Sequence, residues 1–180
     1  MKDSGISIQY TKTAFGELIL GSYDSKLCIC DWRYRKSRVQ IDERIKKGLN
    51  AEFLEKETSM TLAAHSQLLE YMDGERKEFD IPLLMVGSDF QKSVWNELLK
   101  IPFGETMTYS GLSEKLSNEK AIRAIAGANG ANAISIIIPC HRIVGSGGKL
   151  VGYAGGLHTK KKLLKLEKED HGPRQMELFE

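Results

Sequence analysis

The chain has few cysteines, few prolines and no long apolar run. Its three cysteines, an odd number among 180 residues, do not suit a disulfide framework and favour reduced thiols. No apolar stretch approaches the ~20 residues that a membrane span needs, and the N-terminus lacks the basic-then-apolar pattern of a secretory signal. We therefore expect a cytoplasmic protein that makes no contact with a membrane and whose thiols are free to react.

Neither sign of charge is in strong excess. The formal net charge is +2, with 41% apolar and 28% charged residues, which is typical of a well-packed globular protein. Lysines are nevertheless concentrated in one C-terminal segment, which contains Lys160, Lys161, Lys162, Lys165 and Lys168. We interpret this segment as the solvated face of a helix, and a surface that binds phosphate is the alternative.

The first half of the chain predicts a small antiparallel sheet followed by a helix. Residues 7–10, 16–22 and 26–34 are short runs of β-branched, aromatic or apolar residues separated by turn-forming Gly, Asp and Ser. A helical repeat follows over residues 59–74, and Gly74 is suited to end that helix. The residues at helical spacing there are Leu62, His65, Leu68, Leu69 and Met72.

Two cysteines and a histidine in this half could be structural or could bind a metal. Cys28 and Cys30 are two residues apart, so on a strand they share one face, as buried apolar residues do. A metal site would need His65 as a further ligand, and a C-x-C pair alone is a weak signal. We expect both cysteines in the core, His65 at the core boundary with its hydrogen bonds satisfied, and no metal.

The residue pattern changes from mixed to helical at residues 81–87, where we expect a domain boundary. We predict an N-terminal α/β domain over residues 1–86, a mostly helical domain over residues 87–168 and a flexible tail over residues 169–180. Ser88 or Asp89 can cap the first helix after the boundary, since both residue types favour the N-cap position. The apolar stripe of that helix is Phe90, Val94, Leu98 and Leu99, and Pro102 and Gly104 close it.

Two shorter helices follow and suggest a helix-turn-helix. Thr108 can cap the first of them, and Ser117 or Asn118 can cap the second. In nucleic-acid readers the second helix of this motif enters a groove, although many helical hairpins never touch DNA. Residues 124–132 are nearly all small, with Arg123 the one long cation beside them. Tight helix packing or insertion into a narrow DNA groove would explain such a surface.

Residues 136–144 place a cysteine, a histidine and an arginine between apolar runs. Burial of such groups must be offset by hydrogen bonds or pairing, so the cluster is either a structural network or a site for chemistry. We favour chemistry, with Cys140 as the nucleophile and His141 as the group that activates it. The carboxylate that would orient the imidazole is left open by spacing, which allows Glu167, Glu114 or Glu169. A buried structural cysteine and a cysteine hydrolase are the alternatives.

Three motifs resemble the O6-methylguanine-DNA methyltransferase family: PCHRIV at residues 139–144, FGETMTY at residues 103–109 and YAGGL at residues 153–157. The resemblance covers about residues 90–167, with Arg123 and Asn132 at the family's spacing from the cysteine. It implies an α+β fold in which a small ribonuclease-like N-terminal α/β domain with an antiparallel sheet precedes a winged helix-turn-helix domain.

The resemblance also implies a methylated-DNA–protein-cysteine S-methyltransferase that repairs DNA by direct damage reversal. Such a protein binds double-stranded DNA through the minor groove as a monomer, flips out O6-alkylguanine and moves the alkyl group irreversibly to Cys140, once per molecule. O4-alkylthymine is a further candidate substrate, and no cofactor is required. The alternative function is a non-catalytic protein that binds alkylated bases, or a helix-turn-helix DNA-binding protein.

Family roles carry over to matching positions of this chain. Arg123 would fill the vacated base stack, His141 would act through a water as base toward Cys140, Glu167 would steady His141, and Tyr109 would donate a hydrogen bond to the base ring. The resemblance also gives a role to Asn132, which braces the turn before the cysteine. It implies that the main chain of Cys140, Ile143 and Ala154 contacts the base. The implied DNA-binding residues on the DNA-facing helix are Ala124, Gly127 and Ala128. Some relatives have serine at the position of Ala154 and arginine at that of Gly130.

Overall fold

The computed structural model describes residues 5–169, which form a four-stranded sheet followed by a largely helical region. The sheet contains β1 (Ile6–Thr13), β2 (Gly16–Tyr23), β3 (Lys26–Trp32) and β4 (Phe53–Glu55), in the order β3-β2-β1-β4. The first three strands pair antiparallel, as predicted. Asp24 and Ser25 join β2 to β3 with φ of 49° and 59°, and positive φ at both positions is typical of a tight hairpin turn.

The sequence analysis missed α1 (Arg38–Leu49) and strand β4, which pairs parallel with β1. Only Ile41 and Ile45 of α1 are buried, because half of the residues of this helix are charged. A stripe of two apolar residues is too narrow to stand out as a helical pattern. Asn50 ends α1 in the left-handed conformation, at φ 49°.

Helix α2 (Ser59–Met72) lies where it was predicted but turns a different face inward. Its buried residues are Thr61, Ala64, Leu68 and Tyr71, whereas Leu62 and Leu69 are 46% and 42% exposed. Thr61 donates to Gln9 Oε1 at 2.6 Å, so its polar end is satisfied inside the fold. A search for apolar residues at helical spacing does not detect an inward face that includes polar residues, which explains why the wrong face of α2 was predicted.

His65 and the two cysteines of β3 have structural environments. His65 Nε2 lies 3.0 Å from Thr11 Oγ1, so the predicted satisfied histidine is confirmed. Cys28 and Cys30 are buried, as predicted, but they pack in different core clusters. The register between β2 and β3 shifts between Gly21 and Ser22, which breaks the alternation that would give the two cysteines one face.

Helix α3 (Asp89–Leu98) begins at Ser88, whose hydroxyl accepts from Gln91 N in a capping box. Its buried residues are Val94, Trp95 and Leu98. The predicted stripe is therefore half correct, since Phe90 and Leu99 are 37% and 42% exposed.

The helix-turn-helix consists of α4 (Tyr109–Lys115) and α5 (Ile122–Gly130). Thr108 caps α4, as predicted. The predicted cap of α5 by Ser117 or Asn118 is wrong, because a 3₁₀ turn, Glu119–Ala121, intervenes and Ala121 occupies the N-cap position. Before α4, β5 (Met107–Thr108) pairs parallel with β6 (Ile143–Val144). This pairing places the end of the FGETMTY motif beside the cysteine motif.

The last helix, α6 (Leu157–Glu169), packs into the same core as the sheet and α3. One buried cluster includes Leu20 of β2, Leu98 of α3 and Leu163 of α6. The division at residue 87 remains a prediction. Of the predicted tail, only Glu169 belongs to the described residues, where it ends α6. Within residues 5–169, no helix is long and apolar enough to cross a bilayer.

Candidate active site

A cavity of about 400 Å³ opens beside Cys140, between α5, the start of α4 and the segment before α6. It brings together four residues that were predicted for the site and several that were not. Its lining contains Arg35, Tyr109, Ala126, Asn129, Gly130, Asn132, Cys140, Gly152, Tyr153 and Ala154. Cys140 itself is only 4% exposed, so the cavity is the route by which a ligand could reach its sulfur.

The backbone at the cysteine is bent rather than extended. Cys140–Arg142 form a 3₁₀ turn, in which Arg142 N donates to Pro139 O at 3.0 Å. Side chains of an extended strand alternate by a half turn, whereas those of a 3₁₀ turn are about 120° apart. The bend therefore lets Cys140 face the cavity while His141 points into the core.

Asn132 braces the turn that leads to the cysteine. Its Nδ2 donates to Ile138 O at 2.9 Å, and its Oδ1 accepts from Ile134 N at 2.9 Å. Both partners belong to the loop between α5 and Pro139, so one amide group closes that loop on itself. The position fits the bracing role that the resemblance implied.

His141 is fully buried and contacts Glu167. Its Nε2 donates to Glu167 Oε1 at 2.8 Å, since the carboxylate can only accept. The other two acidic residues that spacing allowed lie at the surface, as Glu114 is exposed and Glu169 pairs with Lys165 in solvent. Three-dimensional contact thus selects Glu167 from the three.

Glu167 accepts hydrogen bonds from four residues in three parts of the chain: Tyr71, Gly104 and the adjacent pair His141 and Arg142. Arg142 donates through Nε to Oε2 at 3.0 Å and through Nη2 to Oε1 at 2.9 Å. Tyr71 OH donates to Oε1 at 2.7 Å, and Gly104 N donates to Oε2 at 3.3 Å. Burial raises the pKa of Glu167, but the hydrogen bonds and charges of His141 and Arg142 outweigh burial and hold that pKa at about 2. The carboxylate is therefore ionised at neutral pH.

The thiol and the imidazole are both shifted toward their neutral forms. Burial raises the pKa of the Cys140 thiol, although Asn132 acts against this. Burial also lowers the pKa of His141, despite the hydrogen bond to Glu167. Because Nε2 carries the proton, Nδ1 is the acceptor of the neutral ring, and Nδ1 is buried without a hydrogen-bond partner in the described part of the protein. The thiol and the imidazole are thus both neutral at neutral pH.

Tyr153 and Ala154 reach the cavity because the segment around them packs closely against β3. Trp32 Nε1 donates to Tyr153 OH at 3.2 Å, and the two rings meet edge to face. A side chain at Gly155 would place its Cβ 2.6 Å from the Trp32 ring, so only glycine allows this approach. The YAGGL motif therefore serves the packing of the cavity wall.

Two cations, Arg35 at the cavity wall and Lys160 bonded to the wall residue Gly152, were not predicted from the sequence as site residues. Arg35 lines the cavity and is held by Asp31, at 3.1 Å, and by the carbonyl of Asn132, also at 3.1 Å. Lys160 is fully buried, and its Nζ donates to the carbonyls of Ile143 and Val151. The interpretation of the lysine run as a solvated face is wrong at Lys160. No sequence motif signals either residue, because the contacts that place them at the site are with main-chain carbonyls, of Asn132 and Gly130 for Arg35 and of Ile143 for Lys160.

The recognition helix α5 presents a smooth outer face. Arg123, Ala124, Gly127 and Gly130 are exposed, and a Cβ added at either glycine would meet nothing within 4 Å. The prediction that Ala128 faces DNA is wrong, because its side chain is buried and its carbonyl accepts from Trp95 Nε1 at 2.8 Å. Ala128 is small because α5 packs against α3 there.

Comparisons with known proteins found relatives that cover most of this chain. The family described as 6-O-methylguanine DNA methyltransferase, DNA binding domain, matches residues 89–169. A methylated-DNA–protein-cysteine methyltransferase of Methanosarcina acetivorans is 40% identical over 156 residues, which are 87% of this chain and 94% of that protein. The protein of that name from Mycobacterium leprae is 43% identical over 157 residues, or 85% and 87% of the two chains.

Solved structures show the same fold. The Mycobacterium tuberculosis OGT in complex with DNA has a TM-score of 0.78 and 36% identity, and the match covers 91% of this chain and 94% of that one. The O6-methylguanine-DNA methyltransferase of Pyrococcus kodakaraensis has a TM-score of 0.69, with 90% and 98% covered. At 22% identity the second likeness concerns the fold alone.

Proposed function

The chain belongs to the methylated-DNA–protein-cysteine methyltransferase family, and on this premise we propose that Cys140 is the cysteine that accepts the alkyl group. The protein is an enzyme that repairs alkylated DNA by moving the alkyl group to one of its own cysteines. The observation that supports Cys140 is its position at a cavity wall, directly before a neutral, buried histidine in the chain that is hydrogen-bonded to an ionised glutamate.

The proposed substrate is double-stranded DNA that carries O6-alkylguanine. The O6 atom of a stacked base is out of reach of a side chain, so the base must be flipped into the cavity. The small outer face of α5 allows close approach to a groove, and exposed Arg123 at its start is suited to occupy the space that the base leaves. We also propose that the protein acts as a monomer, in the cytoplasm.

The proposed reaction is a single in-line displacement. The Cys140 thiol gives its proton through a water to His141 Nδ1, and the sulfur forms a bond to the alkyl carbon. The bond from that carbon to O6 breaks, and its electron pair stays on the base. Glu167 stabilises the imidazolium that forms, because its carboxylate accepts the Nε2–H hydrogen bond.

Tyr109 and Ala154 are proposed to stabilise the leaving base. Both line the cavity with Cys140. Burial raises the pKa of the Tyr109 hydroxyl, so that group is a protonated donor at neutral pH. A donor aimed at the base ring is most useful as negative charge develops there, and the main-chain N–H of Ala154 would act in the same way at O6.

The product is a thioether, and a thiolate is a poor leaving group from ordinary carbon. No simple reverse step regenerates the thiol, so each molecule acts once. The reaction needs no electron transfer and no activated co-substrate, because the alkyl group moves directly from oxygen to sulfur.

Mass spectrometry of the tryptic peptide over residues 124–142 tests this proposal. After reaction with duplex DNA containing O6-methylguanine, we expect the thiol of Cys140 to become a methyl thioether. The peptide mass should then rise stoichiometrically by one CH2, and the DNA should contain unmodified guanine. A gain on another residue would reject Cys140 as the acceptor, and lesion binding without any gain would favour a recognition protein.

A further inference from the structure

A tyrosine from the N-terminal half of the chain reaches the buried carboxylate of the candidate active site. Tyr71 lies on α2, is fully buried and donates from its hydroxyl to Glu167 Oε1 at 2.7 Å. The two residues are 96 positions apart, and none of the three family motifs includes Tyr71.

We infer that Tyr71 is a positioning residue for alkyl transfer, which acts through Glu167 to orient His141. This inference rests on the proposed function, because it assigns His141 the role of base. Tyr71 does not touch the cavity or the reacting atoms. Its effect is to determine where the Glu167 carboxylate sits and how much of its charge is left for the imidazole.

The hydrogen-bond count at Glu167 supports this role. A carboxylate offers about four lone-pair sites, two on each oxygen. Oε1 accepts from Tyr71, His141 and Arg142, and Oε2 accepts from Arg142 and Gly104. Five hydrogen bonds thus share these four sites, three of them at Oε1, so the carboxylate cannot rotate without breaking a bond and His141 Nε2 has one fixed acceptor.

The direction of the Tyr71 hydrogen bond is also fixed. Burial foremost, and then the negative charge of Glu167, raise the pKa of Tyr71 well above its ordinary value. The phenol therefore stays protonated and donates. Aromatic neighbours hold its ring, since Phe79 and Phe103 have ring centroids 5.5 and 6.1 Å from it. Phe103 begins the FGETMTY motif, so α2 and that motif together set the position of the hydroxyl.

Loss of this hydroxyl should alter the acid side of the pH–rate profile. Besides Tyr71, the groups that act on the His141–Glu167 pair are Arg142, Lys160 and the ring of Tyr153. None of them is removed by Tyr71→Phe, which leaves Glu167 one donor fewer. More of the carboxylate charge then acts on His141 and stabilises its protonated form, so the imidazole loses its base function at a higher pH.

The test is a single-turnover alkyl-transfer assay on O6-methylguanine duplex across pH. For Tyr71→Phe we expect a plateau rate about tenfold lower, which is typical when a residue that orients a functional side chain is lost. The pH at which the rate falls on the acid side should rise by about half a unit. Affinity for the lesion duplex should be unchanged. An unchanged plateau rate and acid limb would overturn the inference, and DNA affinity that falls in parallel with the rate would point to a general structural defect.

Two companion variants separate the hydroxyl from the packing of the ring. Phe79→Leu disturbs the neighbour of Tyr71 but not the hydrogen bond, so it should lower stability without moving the acid limb. Ring-fluorinated tyrosine at position 71 keeps the fold and strengthens the donor, so the acid limb should move to lower pH. An acid limb in the fluorinated protein that does not move would also overturn the inference.

The assay distinguishes this inference from the proposed function. If the unaltered protein gains no methylene group on Cys140, the proposed function fails and with it the role of Tyr71. If the unaltered protein is alkylated and Tyr71→Phe matches it in rate and pH profile, only the inference about Tyr71 fails.

Discussion

Arg142 and Glu167 form a two-pronged ion pair inside the protein, with Nε 3.0 Å from Oε2 and Nη2 2.9 Å from Oε1. The planar guanidinium matches the carboxylate, and a third nitrogen, Nη1, donates to Ile101 O at 2.6 Å. Together with the hydrogen bond from His141, the arginine of the PCHRIV motif therefore keeps the carboxylate charged in the core. The histidine of the same motif then has an ionised partner.

Replacement of Glu167 should remove the part of the free energy of unfolding that depends on the ionised Glu167 carboxylate. A pKa held at about 2, below the ordinary 4.5, means that this group stabilises the fold above pH 4.5 and that the stabilisation is lost as pH falls through about 2. The shift corresponds to about 3 kcal/mol. Urea unfolding of Glu167→Gln should show lower stability at neutral pH and a flatter dependence between these two pH values. A variant with the same slope as the unaltered protein would contradict the assignment.

Cys140→Ala should keep DNA binding and lose alkyl acceptance, because the nucleophile is removed while the outer face of α5 is untouched. Binding is measured by fluorescence anisotropy on lesion duplex, and acceptance by mass spectrometry. Cys28→Ala is the control, since Cys28 lies in a different core cluster from Cys140 and should retain transfer. Residual transfer to any residue in Cys140→Ala would defeat the proposed role of Cys140.

Arg123→Ala should weaken repair of duplex DNA more than reaction with the free alkylated base, because only the duplex requires a base to be extruded. Rates on the two substrates are compared under single-turnover conditions. Lys165→Ala removes a similar exposed charge from α6, where it pairs only with Glu169 in solvent, and should leave the rate ratio unchanged. Equal losses on both substrates in Arg123→Ala would count against the proposed role in the base stack.

The acid limb of alkyl transfer should lie below the ordinary histidine value of pH 6.5. Burial lowers the pKa of His141, so the imidazole stays a neutral base until the pH falls below that range. Transfer measured from pH 5 to 8 on single-turnover DNA should be flat near neutrality and decline only on the acid side. A decline that begins above pH 7 would mean that another group titrates, or that Glu167 raises the pKa of His141 by more than burial lowers it.

Sequence predicted those parts of the fold that are set locally. The hairpin strands, the N-caps at Ser88 and Thr108 and the end of α2 near Gly74 follow from neighbouring residues and were found at or near the predicted positions. Helix α1 was missed because it buries little. The predicted face of α2 was wrong because its inward residues include Thr61 and Tyr71, whose hydroxyls are bonded to Gln9 and to Glu167, which lies 96 residues from Tyr71.

The candidate site divides in the same way. Cys140, His141 and Arg142 are adjacent, so a motif could reveal them. Glu167 could be named only through the family resemblance, because three acidic residues were equally compatible with spacing. Arg35 had no signal, since its cavity position depends on how residues after β3 meet the end of α5.

Lys160→Met should lower stability and slow transfer, although Lys160 touches no proposed substrate atom. Its Nζ donates to the carbonyls of Ile143, Val151 and Gly152, which border the segment that carries Ala154 into the cavity. Loss of the ammonium leaves three carbonyls without this donor, so we expect a loss of about 2–4 kcal/mol in the free energy of unfolding. Lys161→Met, at the exposed neighbour, should change it by less than about 0.5 kcal/mol. Equal thermal unfolding of the two variants would show that burial of the Lys160 ammonium, which also lowers its pKa, contributes nothing net to the fold.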